Sequence, residues 1–180
     1  MARKTSILLV GLLTLMWAGY ANASGIGIGA HYSNVHNQTT DENSSMLGAQ
    51  VRLRSSIIGV EGAIDYRTDA LGGGTELRSW PVSASLLIYP LPPVYALAGL
   101  GWYNTTIDFP SDSPYKNQTQ SKLGYHFGAG LELPIAPMLK LMGDIRWQFV
   151  DYEFKDIPSS IGKVNADSYS INAGFLFYLR

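Results

Sequence analysis

Two-residue periodicity governs this chain from Gly25 onward. Apolar and aromatic residues take every second position. Gly, Ser, Asn, Gln and charged residues take the positions between. Successive side chains of a strand point to opposite faces, so such a chain folds into sheet with one oily and one polar face. Eight stretches carry the pattern, at about 25–33, 46–54, 57–66, 77–89, 94–104, 120–133, 138–152 and 168–179. In the first, Ile26, Ile28, Ala30 and Tyr32 oppose Gly27, Gly29, His31 and Ser33. In the sixth, Leu123, Tyr125, Phe127, Ala129 and Leu131 oppose Lys122, Gly124, His126, Gly128 and Gly130.

The connections alternate in length. Four are long and polar, at roughly 34–45, 67–76, 105–119 and 153–167, and three are short, around Ser55, Pro92 and Ala136. Ahead of the strands, Arg3-Lys4 precedes an apolar run from Ile7 to Ala18 and the small-residue site Ala21-Asn22-Ala23. That is the form of a secretory signal, and cleavage after Ala23 is expected, with one domain over 24–180. The mature chain then holds eleven basic against fourteen acidic residues. A nucleic-acid surface needs a basic excess, so no nucleic-acid partner is expected. The absence of cysteine excludes disulfides and thiolate metal sites.

Alternation alone does not say which face is inside. A soluble barrel would turn the oily face inward. Glycines on the polar face, among them Gly27, Gly29, Gly48, Gly99, Gly101, Gly128 and Gly174, argue for the reverse. On a solvated surface they would only weaken strands; inside a narrow barrel they make room for Arg, Lys and Tyr. Aromatic residues of the oily face also gather beside the long loops: Tyr32, Tyr66, Trp80, Trp102, Tyr125, Trp147, Phe149 and Tyr169. Such a girdle marks a membrane interface. No stretch after the signal approaches the roughly 20 apolar residues of a spanning helix, and sheet crosses lipid only as a closed barrel. The expected fold is all-β: an eight-stranded antiparallel up-and-down transmembrane β-barrel, both termini on the short-turn side.

Three segments carry a resemblance: Tyr95-Ala-Leu-Ala-Gly99-Leu-Gly101-Trp102-Tyr103, Gly128-Ala-Gly130-Leu-Glu132-Leu-Pro134 and Gly174-Phe-Leu-Phe-Tyr-Leu179. In them the mature chain resembles the outer-membrane β-barrel superfamily of small OmpA-type and OmpX-type proteins. The resemblance implies a place in the bacterial outer membrane, contact with its lipid and lipopolysaccharide, and insertion by the barrel-assembly machinery. The family usually ends on an aromatic residue; here Leu179 is followed by Arg180.

Nine charges fall on the inward face: Arg52, Arg54, Glu61, Asp65, Lys122, Glu132, Lys140, Asp144 and Arg146. An eight-stranded lumen is just wide enough for side chains, and a selective pore tends to show one sign of charge. The near balance favours an internal ion-pair plug over an OmpW-like channel for small or apolar solutes. His31 and Ser33 share a face, as a Ser–His pair requires, and the His-x-Ser pattern is similar to lipid A deacylases. That face points away from lipid, so a lipid-modifying enzyme is the lesser alternative and a polar strand end the expectation. His126 is expected to bond a neighbouring carboxylate. No metal or cofactor site is expected. Four Asn-x-Ser/Thr sequons, at Asn37, Asn43, Asn104 and Asn117, fall in or beside the long connections. The apolar content of 103–109 and of Asp112–Tyr115 makes the third long loop a candidate contact for an extracellular ligand or host surface. The expected role is structural or surface interaction by a monomer.

Overall fold

The computed structural model describes residues 25–38, 43–72, 75–108, 117–153, 163–165 and 167–179. The expected signal segment, Arg180, the Asp112–Tyr115 stretch and most of the fourth long connection lie outside them. Eight strands form the barrel: β1 Gly25–Asn37, β2 Asn43–Ser55, β3 Ile58–Gly72, β4 in two segments Thr75–Ser79 and Val82–Leu91, β5 Val94–Asp108, β6 Gln118–Pro134, β7 Leu139–Phe149 and β8 Ser168–Leu179. Each pairs antiparallel with its chain neighbour, and β8 pairs with β1 from Ile26↔Leu179 to Asn37↔Ser168, which closes the ring. Closure removes the free edges that lipid would not tolerate. A short hairpin, Asp151–Glu153 with Lys163–Asn165, stands between β7 and β8. No described helix is long and apolar enough to cross a membrane.

The alternation assigns the two faces. Ile28, Leu47, Val51, Val60, Leu86, Leu100, Phe127 and Phe175 stand exposed on the outside, while Arg52, Glu61, Glu132, Asp144 and Arg146 are buried in the lumen. A chain with charges inside and an unbroken apolar belt outside has lipid as its solvent on the belt. Inward glycines sit beneath the largest inward rings. A Cβ on Gly27 would lie 3.1 Å from the Tyr178 ring, and one on Gly130 would lie 2.7 Å from that of Tyr95.

Three features depart from the alternating pattern. First, the fourth strand is interrupted at Trp80-Pro81, because Pro81 has no N–H to give to a ladder. The wall stays closed there: Asp65 N–H donates to Pro81 O and Trp80 N–H to Asn104 O, both at 3.0 Å. The Asn104 amide donates to Trp80 O at 3.2 Å and Trp102 O at 3.3 Å. Second, Leu87, Leu97, Met142 and Leu176 point inward with Tyr89, Tyr95 and Tyr178, so the lumen holds two apolar clusters besides its charges. Third, three hairpins rise past the level of the outward aromatic residues: the β1–β2 ladder continues from Tyr32↔Leu47 to His36↔Asn43. The β3–β4 ladder runs to Gly72↔Thr75 and the β5–β6 ladder to Ile107↔Gln118. On the flanks, β2–β3 stops at Leu47↔Tyr66 and β6–β7 at Tyr125↔Phe149. Outward residues turn polar above Tyr66, Trp80, Trp102 and Leu123, with Thr68, Arg78, Thr106 and Ser121 next along the strands. These raised hairpins therefore leave the apolar belt at the rim of the long connections.

Candidate functional site

The inward faces of seven strands converge on three carboxylates. Glu132, on β6, is the hub. Its Oε1 accepts from Arg54 and from Lys140, both at 2.8 Å. Its Oε2 accepts from Arg52 at 2.8 Å and from the Tyr89 hydroxyl at 2.9 Å. The Tyr178 hydroxyl lies 3.2 Å from the same oxygen. Glu61, on β3, takes Arg52 on one oxygen and Arg146 on the other, the latter at 3.0 Å. Asp144, on β7, accepts from Arg146 Nε at 2.7 Å, the Tyr95 hydroxyl at 2.7 Å and the Asn172 amide at 2.6 Å.

The register dictates this convergence. Arg52 and Glu61 are direct cross-strand partners, as are Gly130 and Asp144. The longer ties follow from the ring itself: β2 and β6, which carry Arg52 and Glu132, lie opposite each other, and so do β3 and β7, which carry Glu61 and Arg146. Two ion pairs thus span the lumen along different diameters. Aromatic rings complete the packing, with the Arg54 guanidinium 3.6 Å from the Tyr89 ring centroid and the Lys140 ammonium 4.4 Å from that of Tyr178. Buried charges persist only when paired and hydrogen-bonded, and each of these carboxylates has at least two donor side chains around it.

Above the network, toward the long loops, the chemistry changes. His31 Nε2 meets Asp65 Oδ1 at 2.8 Å, and His126 Nε2 meets the Ser85 hydroxyl at 2.8 Å. Gly48 makes room for the first pair, since a Cβ there would sit 2.4 Å from His31 Nε2. A cavity of about 50 Å³ opens over Arg146, lined by Ser33, Asp65, Ser83, Tyr103, His126 and Gln148 among others.

Comparison with known proteins places the chain. The family model described as outer membrane protein beta-barrel domain matches residues 5–177. The chain belongs to that family. Among solved structures it is similar to Neisserial surface protein A, at 15% identity over 87% of this chain and 99% of that one, with a TM-score of 0.65. It is also similar to the N-terminal β-barrel domain of Pseudomonas aeruginosa OprF, at 15% identity over 86% and 99%, TM-score 0.54. A major outer membrane protein from Thermus thermophilus aligns at 13% identity over 86% and 99%, TM-score 0.53. No curated protein sequence matches the chain. At these identities the likeness establishes the fold: this is an eight-stranded outer-membrane β-barrel with a buried polar and charged network across its lumen.

Seven of the nine inward charges are in the network: Arg52, Arg54, Glu61, Glu132, Lys140, Asp144 and Arg146. Asp65 is not tied to it but to His31. Lys122 stands half-buried nearer the loops, across from Tyr103 in the ladder. His126 bonds a serine rather than a carboxylate. Asn172 and Tyr178 fall on the polar face of the last strand in the sequence, but neither they nor Tyr89 and Tyr95 were singled out as partners of the carboxylates; their signal was position alone, on the inward face at the level of an acid.

On the outside of this outer-membrane barrel, Tyr32, Tyr66, Trp80, Trp102, Tyr125 and Trp147 are exposed, while Phe149 and Tyr169 are half-buried. Tyr125 stacks on Phe149 at 5.0 Å and Phe127 on Trp147 at 5.8 Å. Asn104 is buried within β5, where its amide bonds the backbone beside the Pro81 break. The face bearing His31 and Ser33 is turned from lipid, and no described group of three or more His, Cys, Asp or Glu is placed to hold a metal.

Proposed function

We propose that this protein is a closed barrel that acts through its long-loop end, in a structural or surface-interaction role. One observation carries the reading: the Arg52–Glu132 and Glu61–Arg146 pairs each join opposite walls of the lumen. A channel would need those pairs parted, at the cost of exposing charges already paired and desolvated. Short turns and both ends of the described chain lie at one rim, and the long connections lie at the other. This supports a chain exported with a signal cleaved after Ala23, inserted by the barrel-assembly machinery, with its termini periplasmic and its loops outside. Within that frame the outward aromatic residues act as the interfacial girdle in lipid and lipopolysaccharide, and the barrel works as a monomer. The raised hairpins give the loops a rigid base, which suits contact with an extracellular ligand or host surface.

The test is single-channel recording of the refolded mature chain in a planar bilayer, with folding checked by heat-modified gel mobility. A folded and silent barrel is the expected result. Stable, reproducible conductance steps would replace this reading with the channel.

A further inference from the structure

The cavity above Arg146 has a chemistry of its own. Its floor is electrically quenched, because Arg146 is held by Glu61 and Asp144. Asp65 on its wall is matched by His31, yet retains 18% side-chain exposure while Glu61 and Glu132 have at most 1%. The rest of the lining includes hydrogen-bonding side chains: Ser33, Ser83, His126 and Gln148. Hydroxyls and an amide both donate and accept. One aromatic ring joins them. Tyr103 lies down over the backbone of two glycines: a Cβ on Gly101 would fall 3.0 Å from its Cε2, and one on Gly124 would fall 2.9 Å from it. The glycines form a shelf, and the ring resting on it borders the cavity.

We infer that this well, at the loop end of the lumen, binds the hydroxyl-bearing edge of a single neutral sugar, with Tyr103 as its stacking platform and Asp65, Ser83 and Gln148 as its hydrogen-bond partners. A sugar ring presents C–H groups on one face and hydroxyls round its edge. It needs a flat ring that attracts C–H groups and planar polar side chains that donate and accept in pairs. A small ion fits less well, since the charged groups at the well already hold partners. The size sets a limit. At 10–15 Å³ for each water, about 50 Å³ has room for roughly three to five waters. That suits an edge of one sugar whose remainder points out toward the loops. The sugar is either free or the terminal residue of a surface glycan. The inference deepens the surface-interaction reading and rests on it. Binding to the purified barrel is measured without a bilayer current, so the two fail separately.

The experiment is titration of the refolded barrel in nanodiscs, followed by isothermal calorimetry and NMR saturation transfer. The probes are glucose, galactose, mannose and N-acetylglucosamine, their methyl glycosides, glycine and inorganic phosphate. Saturable binding of a neutral sugar is expected. Tyr103→Leu and Gln148→Ala should each weaken it by about tenfold, and Tyr103→Phe by less than about threefold, because the ring remains. Gln148→Ala carries the test if Tyr103→Leu fails to fold. A methyl glycoside that binds as well as its parent points to a glycan terminus; one that loses binding points to the free sugar. The inference is overturned if no neutral sugar binds, if Gln148→Ala binds as wild type, or if phosphate or glycine binds in place of the sugars.

Discussion

Replacing Glu132 with alanine removes the group on which the lower lumen depends. The carboxylate is buried, and it meets Arg52, Arg54 and Lys140 at 2.8 Å each, with the Tyr89 hydroxyl at 2.9 Å. Arg52 retains Glu61, but Arg54 and Lys140 lose the carboxylate that holds them, and their side chains are only 4% and 9% exposed. Breaking a buried pair by deleting one partner costs about 3–5 kcal/mol, because the remaining charge stays desolvated. The turn-end position of Arg54 and Lys140 lets water relieve part of this, so the lower half of that range is expected. Glu132→Gln keeps the shape and one acceptor oxygen but not the charge. Its cost should be smaller, about 1.5–3 kcal/mol. Arg78→Ala serves as the control. Arg78 also forms a short ion pair, at 2.7 Å to Asp108, but its side chain is 47% exposed on the raised rim. A solvated pair of that kind is worth less than about 1 kcal/mol. Reversible urea unfolding in phospholipid vesicles, read by tryptophan fluorescence, measures all three. An alanine variant within about 1 kcal/mol of wild type, or no better separated from Arg78→Ala than that, would refute the reasoning.

Three further outcomes follow from the wall. Gly48→Ala would drive a methyl group onto His31 Nε2 and Asp65 Oδ1, whereas nothing lies within 4 Å of a Cβ at Gly62. The first should lose about 1–3 kcal/mol in the same urea assay, and Gly62→Ala should stay within about 0.5 kcal/mol. Asn104→Ala strips the amide that bridges Trp80 O and Trp102 O. It should cost about 1–2 kcal/mol and speed amide hydrogen exchange around Trp80, and an unchanged exchange pattern would count against the patch. Ser56 adopts a φ of 53° in the β2–β3 turn. Ser56→Gly should therefore raise stability by about 0.5–1 kcal/mol, and a urea midpoint that falls instead would show that the turn is not strained by its side chain.

Much of the barrel was legible in the chain because a strand has only two faces. Once Arg52, Glu132 and Asp144 fell on the face that also holds the glycines, the lumen and the lipid side were assigned together. The residue period also located the aromatic residues and the long connections. It could not see Pro81 as a break that leaves the wall closed, since the repair comes from Asn104 on the next strand. Nor did it place Leu87, Leu97, Met142 and Leu176 inside, where apolar residues stand in positions the pattern reserves for polar ones.

The sequence by itself determined how many strands there are, which face meets lipid and which charges point inward. Those are local properties, set by a two-residue repeat and by turn residues a few positions apart. The tertiary structure decided who pairs with whom across the lumen. Arg52 meets Glu132 and Arg146 meets Glu61 only because closure brings strands four places apart round the ring face to face. It also set Asp65 apart with His31 and rested Tyr103 on Gly101 and Gly124. Such distances depend on the stagger and diameter of the closed sheet, which no repeat along the chain records.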